Sequence, residues 1–241
     1  MFDTQTLLVI LTVVIGALIQ GTAGFGLGLF SMGFLVLLMP VHEATVIVAI
    51  LGIFSTALNL WTVRHAVVWS EAWPIVISCI PATIVGGYLL TSLPTDLLRK
   101  GLAVMILIGC SATFLSSQGD KLHRPFPWAY VAGIFGGLFG GALNVGGPPG
   151  VIYTLLRGWD KEHSKALLSA YFFASAIVRV PTHFVTGTAT RELLLRSLVV
   201  LPFALASSYL GTKLFSRLSN EVFRYGAMAL LTLMALRIFI T

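Results

Sequence analysis

Arg179 is the residue of this sequence best placed to do chemistry. It stands well inside an apolar run from Ala166 to Gly187. A charge at the depth of a membrane costs about 3 kcal/mol on insertion scales and faces a cavity or a partner. Tyr171, Ser175, Arg179 and His183 recur every fourth residue, so a helix carries them on one face, with Thr182 beside them. A guanidinium is a flat fork of donors that fits the oxygens of a carboxylate or a sulfonate. The stripe therefore predicts an anion site anchored by Arg179, with neutral hydrogen bonds from Tyr171 and Ser175. The competing account has Arg179 snorkelling to the interface, or paired with an acid such as Glu43 or Glu71. His183 and Thr182 are candidates for proton transfer or gating. The alternative for His183 is a structural histidine with satisfied bonds.

Two glycine-rich stretches form the second set of candidates. One reads Gln20-Gly21-Thr22-Ala23-Gly24-Phe25-Gly26-Leu27-Gly28, and the other runs from Gly136 to Gly150 with Asn144, Gly146, Gly147, Pro148 and Pro149 at its centre. The first lies in a run from Thr4 to Val41 without any charged residue or histidine. As one helix that run would be about 57 Å long, nearly twice a bilayer core. It must bend, and so must its counterpart. Glycine permits unusual backbone angles, and two prolines remove two amide donors. A broken helix or a re-entrant hairpin is expected in each run. A break exposes the amides of a new helix N-terminus, and those amides favour an anion. Gln20, Thr22, Gly24, Gly26, Asn144, Gly146 and Gly147 are thus candidates for substrate contact, and Pro148 for gating. The competing reading is close helix packing through small residues, such as Gly24 with Gly28 and Gly136 with Gly140.

The elements that must position these residues follow from composition. Of 241 residues, 57% are hydrophobic and 10% charged, against roughly 25% charged in an ordinary soluble domain. The mean hydropathy is +0.94. These values exclude a soluble enzyme, a disordered chain and a small disulfide-stapled domain. Apolar runs occur at Thr4–Val41, Ala44–Val63, Ala72–Thr91, Gly101–Ser117, Trp128–Leu156, Ala166–Gly187, Leu193–Thr212 and Val222–Ile240. The fold class is an all-α polytopic membrane protein with about eight segments and no soluble domain. The net charge of +6 follows from basic residues in the short breaks between runs, not from a block suited to nucleic acid. The two cysteines, Cys79 and Cys110, lie within apolar runs, and no metal-ligand spacing or cofactor motif is present. The partners expected are a small anionic substrate and the lipid bilayer. A homo-oligomer is compatible with the sequence.

The runs come in two sets of four. Pro81, Tyr88-Leu89 and Thr91 match Pro202, Tyr209-Leu210 and Thr212. Asp96, Arg99 and Gly101 match Glu221, Arg224 and Gly226, and Ser55, Asn59 and Thr62 match Ser175, Arg179 and Thr182. The expected organisation is one transmembrane domain of two repeats, 1–117 and 128–241, joined by a linker at 118–127. Duplicated halves are a device of transporters, with the substrate site at their interface. The match adds Ser55 and Asn59 to the candidate site as mates of Ser175 and Arg179.

The glycine-rich first segment ending near Pro40, its echo as Gly-Gly-x-x-x-x-Gly-Gly-Pro from Gly140 to Pro148, and the four-segment halves together resemble the sulfite exporter TauE/SafE family, also called the toluene sulfonate uptake permease family. The likeness covers essentially the whole chain. Glycines spaced at 24, 26 and 28 depart from the contiguous glycines of many members. The resemblance implies a membrane permease for small anionic sulfur compounds such as sulfite or organosulfonates.

Counting Lys and Arg in the short loops places the N-terminus outside, whether all eight segments cross or the first of each half is re-entrant. The re-entrant case also makes the halves inverted, which suits alternating access. The expected protein is a secondary permease of the inner membrane, since no nucleotide-binding loop is present. The alternatives are an anion channel and an intramembrane hydrolase. The hydrolase needs a paired nucleophile and base, and no such motif occurs.

Overall fold

The computed structural model describes residues 4–115 and 126–214. Most of the linker and the eighth apolar run, Val222–Ile240, lie outside the described residues. Among those described, the helices are α1 (Thr4–Ala23), α2 (Leu27–Leu35), α3 (Val41–Val63), α4 (Trp69–Ser92), α5 (Thr95–Leu115), α6 (Phe126–Leu143), α7 (Gly147–Leu156), α8 (Lys161–Val185) and α9 (Arg191–Leu214). A 3-10 turn at Arg64–Ala66 joins α3 to α4, and no strand forms among the described residues. Among the described residues, five helices are long and apolar enough to cross a bilayer: α1, α3, α4, α8 and α9.

The helices run past the apolar stretches that predict them. α8 begins at Lys161, five residues before its apolar run, because Asp160 caps it by accepting the amides of Glu162 and His163. Backbone amide bonds, together with the His163 ring, hold the exposed Asp160 carboxyl below its ordinary range.

Both glycine-rich runs divide into two helices. The first divides at Gly24-Phe25-Gly26, where Gly24 has φ 81° and Gly26 has φ 126°. Those angles are strained for any residue with a Cβ. The second divides at Asn144-Val145-Gly146, where Asn144 has φ 57°. Gln5 at the start of α1 donates to the Leu38 carbonyl just past α2 (3.3 Å), so these two ends lie side by side. Ala129 near the start of α6 and Tyr153 near the end of α7 likewise share one apolar cluster. Each run is therefore a helical hairpin.

The packing is reciprocal. α4 lies along α6 and α1 along α9, while α3 packs on both α8 and α9, and α8 on both α3 and α4. Glycines allow the closest approaches. A Cβ on Gly21 would strike the Ser208 carbonyl of α9, and one on Gly86 would strike the Leu138 carbonyl of α6. This is the small-residue packing expected where lipid supplies no hydrophobic drive between helices.

Candidate functional site at the two helix breaks

The breaks meet near the centre of the bundle. Gly28, in the first turn of α2, sits directly against the Asn144 carbonyl, and a Cβ there would overlap it. Asn144 is held in turn by its Nδ2, which donates to the Thr45 carbonyl of α3 (2.7 Å). Tyr171 of α8 donates its hydroxyl to the Gly146 carbonyl (2.9 Å) and pins the second break from the other side.

Between them lies a cavity of about 40 Å³. That is room for about three waters, or one small anion. Its polar lining includes Gln20, Asn144, Tyr171, Ser175 and Arg179, with Gly26, Gly28, Gly146 and Gly147 supplying backbone, and Phe25 and Phe172 as aromatic wall. The starts of α2 and α7 both border it. The first amides of a helix have no partner within it. Here the Leu27 amide is taken by the Gln20 side-chain oxygen (3.2 Å), while Gly28 and Leu29 follow it along the lining. On α7, Pro148 and Pro149 fill the first turn with residues that have no amide to leave unpaired.

Arg179 is 7% exposed. Its Nη1 donates to the Gly140 carbonyl at the end of α6 (3.1 Å), and its buried Nε has no partner. None of the ion pairs among the described residues involves it. Glu71, one acid considered for it, is bound instead by Arg157 and Tyr153. The Gln20 Nε2 is also buried and unpartnered. A cation and an amide donor, both with spare hydrogen-bonding capacity, thus line a cavity with no carboxylate side chain among its described lining residues. A buried donor without an acceptor costs about 1–3 kcal/mol, which an anion could recover.

Eight of the residues singled out in the sequence line this cavity: Gln20, Gly26, Asn144, Gly146, Gly147, Tyr171, Ser175 and Arg179. The others sit elsewhere. Ser55 bonds Ser208 of α9 (2.9 Å), and Asn59 donates to the Gln20 carbonyl (3.4 Å) while accepting from Thr212 (3.1 Å). Thr22 bonds back to the Leu18 and Ile19 carbonyls of its own helix, and Gly24 abuts Lys165. Thr182 bonds the Val178 carbonyl and packs on Gly87. His183 pairs its Nδ1 with Thr188 (3.0 Å) and leaves Nε2 buried without a partner. Pro148 lies inside α7.

The α3 stripe facing the cavity is Val48, Gly52 and Thr56, not Ser55 and Asn59. Their spacing of four carries that signal, but Val48 and Gly52 do not read as polar. Phe25 and Phe172 were equally unremarkable within apolar runs. Lys165 also differs from a loop cation. It is 1% exposed, and its ammonium is bonded to the Gly21 carbonyl at the end of α1.

Long apolar helices around a polar cavity at two helix breaks define a multi-pass membrane transporter. The chain belongs to the sulfite exporter TauE/SafE family, whose description it matches over residues 8–238. It is also 25% identical over 208 residues to a protein of Cupriavidus necator named "Probable sulfite/organosulfonate exporter TauE", an overlap covering 82% of this chain and 79% of that one. No solved structure matches it significantly. Membership places the chain among transporters of small molecules across a lipid bilayer and not among enzymes.

Proposed function

We propose that this protein exports small sulfur oxyanions, sulfite or compact organosulfonates, across the inner membrane by alternating access. The anion is held between the two breaks, with the Arg179 guanidinium and the Gln20 amide as side-chain donors and the start of α2 as backbone donor. The observation that carries this reading is Arg179, buried at the cavity with an unpartnered Nε and outside every ion pair among the described residues. The names of the family and of the relative support sulfur oxyanions as the substrate class and export as the direction.

The duplicated organisation, 1–117 and 128–241, belongs to the same proposal. Gln20 and Gly140, Gly24 and Asn144, and Asn59 and Arg179 are each 120 positions apart. At both places the residue at the break donates its amide to the carbonyl four back, Gly24 to Gln20 and Asn144 to Gly140. The partner on α3 or α8 donates to that same carbonyl. This repetition, with the reciprocal packing of α1 on α9 and α4 on α6, supports two related halves. The hairpin form of each glycine-rich run supports re-entrant first segments and inverted halves. With re-entrant first segments, the Lys and Arg count over the short loops of the whole sequence favours a cytoplasmic side that carries Arg64, Arg157 and Lys161, and an N-terminus outside.

The test is flux in proteoliposomes with labelled sulfite, sulfoacetate and taurine. Saturable flux of a sulfur anion, lost in Arg179→Gln with the fold retained, supports the reading. Flux that does not saturate favours a channel. Equal saturable flux in wild type and variant removes Arg179 from the site.

A further inference from the structure

A second group of donors lies away from the cavity, at the charged end of the bundle. Glu71, in the first turn of α4, receives one donor on each carboxylate oxygen. The Arg157 Nη2 donates to Oε1 (2.6 Å), and the Tyr153 hydroxyl donates to Oε2 (2.6 Å). Arg157 directly follows α7, and Tyr153 lies in its last turn. A guanidinium and a phenol converging on two oxygens of one group form an oxyanion receptor, and here the protein's own carboxylate fills it. The side chains of Arg157 and Glu71 are 20% and 18% exposed, so solvent reaches the pair. The cluster is continuous with the cavity. Tyr153 and Tyr171 share one apolar group, against which Trp159 and Phe172 pack, and Tyr171 and Phe172 line the cavity. α7, about 15 Å long, spans from one site to the other. The same corner is tied a second time by His65 in the 3-10 turn and Glu162 of α8 (2.9 Å).

We propose that Arg157 and Tyr153 form an outlying anion-binding site that Glu71 masks, and that an oxyanion arriving from this end displaces Glu71 and frees the end of α7 from α4. The ligand class is a small sulfonate or sulfite, which like the displaced carboxylate offers an anionic oxygen to each of the two donors. The role in transport rests on the proposed function above; the binding site itself does not.

Trp159 supplies a local probe. It stands edge-on to Tyr153 (6.5 Å between ring centres) with the Arg157 guanidinium 5.6 Å from its ring. The purified full-length protein is titrated with sodium methanesulfonate replacing sodium chloride, and the fluorescence of Trp159→Phe is subtracted. A saturable signal is expected. In Glu71→Gln the midpoint falls about fivefold, as expected when a partly exposed competing charge is removed. In Tyr153→Phe it rises about threefold for one lost donor, and in Arg157→Gln at least about tenfold. If Arg157→Gln does not fold, Arg157→Lys keeps the charge, loses the fork and is expected between the two. A signal seen only in Glu71→Gln also supports the mask. No saturable signal in wild type or Glu71→Gln, or one midpoint shared by wild type, Glu71→Gln and the Arg157 variants, overturns the proposal. Arg179→Gln is expected to leave this titration unchanged while abolishing flux. A titration lost in Arg179→Gln assigns the signal to the central cavity and overturns the outlying site. An intact titration with no flux of any sulfur anion supports the receptor and removes the transport reading.

Discussion

At the first helix break the carbonyl of Gln20 is met by Asn59, whose own oxygen is taken by Thr212. At the second, the carbonyl of Gly140 is met by Arg179, whose Nε has no partner. The backbone arrangement is alike, but the side-chain chemistry is not. A neutral amide with both ends engaged closes the first break. A cation with unspent donors borders the cavity at the second. The first break does have a cation near it, Lys165, but that ammonium is turned to the Gly21 carbonyl, where it offsets the negative end of α1. Repetition of the backbone thus supplies two breaks and two helix starts, and of the paired positions 59 and 179 only Arg179 lines the cavity, as the proposed anchor for the anion.

The largest expected effect comes from breaking that asymmetry. Arg179→Gln should weaken sulfite binding by roughly 30- to 100-fold, the value of a buried hydrogen bond to a charged group. Asn59→Ala should change binding less than about threefold, because its contacts hold helices together. The exchange Asn59→Arg with Arg179→Asn should not restore flux, since position 59 lies outside the cavity lining. Restored flux would mean that the two breaks are interchangeable.

The next effect separates scaffold from site. Gly28→Ala drives a methyl into the Asn144 carbonyl, backbone against side chain with little room to yield. It should destabilise the protein by about 1–3 kcal/mol, read as a lower thermal midpoint in detergent. Gly52→Ala meets only the Arg179 guanidinium, at 3.6 Å. It should fold normally, keep sulfite flux and reduce sulfoacetate flux severalfold by narrowing the cavity. Equal loss of both substrates would argue against Gly52 as a wall of the site.

A smaller effect tests the conformational difference between the breaks. Gly24→Ala places a Cβ at φ 81° and 3.1 Å from the Lys165 Cα, and should cost at least about 1–2 kcal/mol. Asn144 already adopts φ 57° with its side chain bonded to α3. The smallest effect concerns the α8 cap. The Asp160 carboxyl is held below its ordinary value, so its contribution is present above the normal carboxylate range and is lost as pH falls through its folded pKa. Asp160→Ala should lower the thermal midpoint slightly at neutral pH, and the gap to wild type should close in acid.

Both breaks are legible because each run is longer than one straight span, the first nearly twice the bilayer core, and glycine marks where each turns. Arg179 was legible because charge is rare at that depth. The match of Ser55 and Asn59 to Ser175 and Arg179 suggests shared exposure to the cavity, whereas the α3 residues lining it are Val48, Gly52 and Thr56. Asn59 and Arg179 do repeat a contact to a break carbonyl, but Ser55 and Asn59 are engaged by Ser208 and Thr212 of α9. Gly52 was invisible because its contribution is the absence of a side chain. The pairing of Glu71 with Arg157, 86 residues apart, comes only from bringing the end of α7 to the first turn of α4. The burial of Lys165 comes likewise from placing α8 beside the end of α1.

The central claim is that Arg179 at the second break, and not its counterpart Asn59 at the first, is the side chain that anchors the anion. Equilibrium binding of labelled sulfite to the purified protein tests it without requiring a gradient, a direction or a coupling ion. The account predicts saturable binding that Asn59→Ala preserves and Arg179→Gln weakens by roughly 30- to 100-fold, with both variants eluting as the folded wild type does. Binding that survives Arg179→Gln at wild-type affinity, or that fails in Asn59→Ala alone, would contradict it.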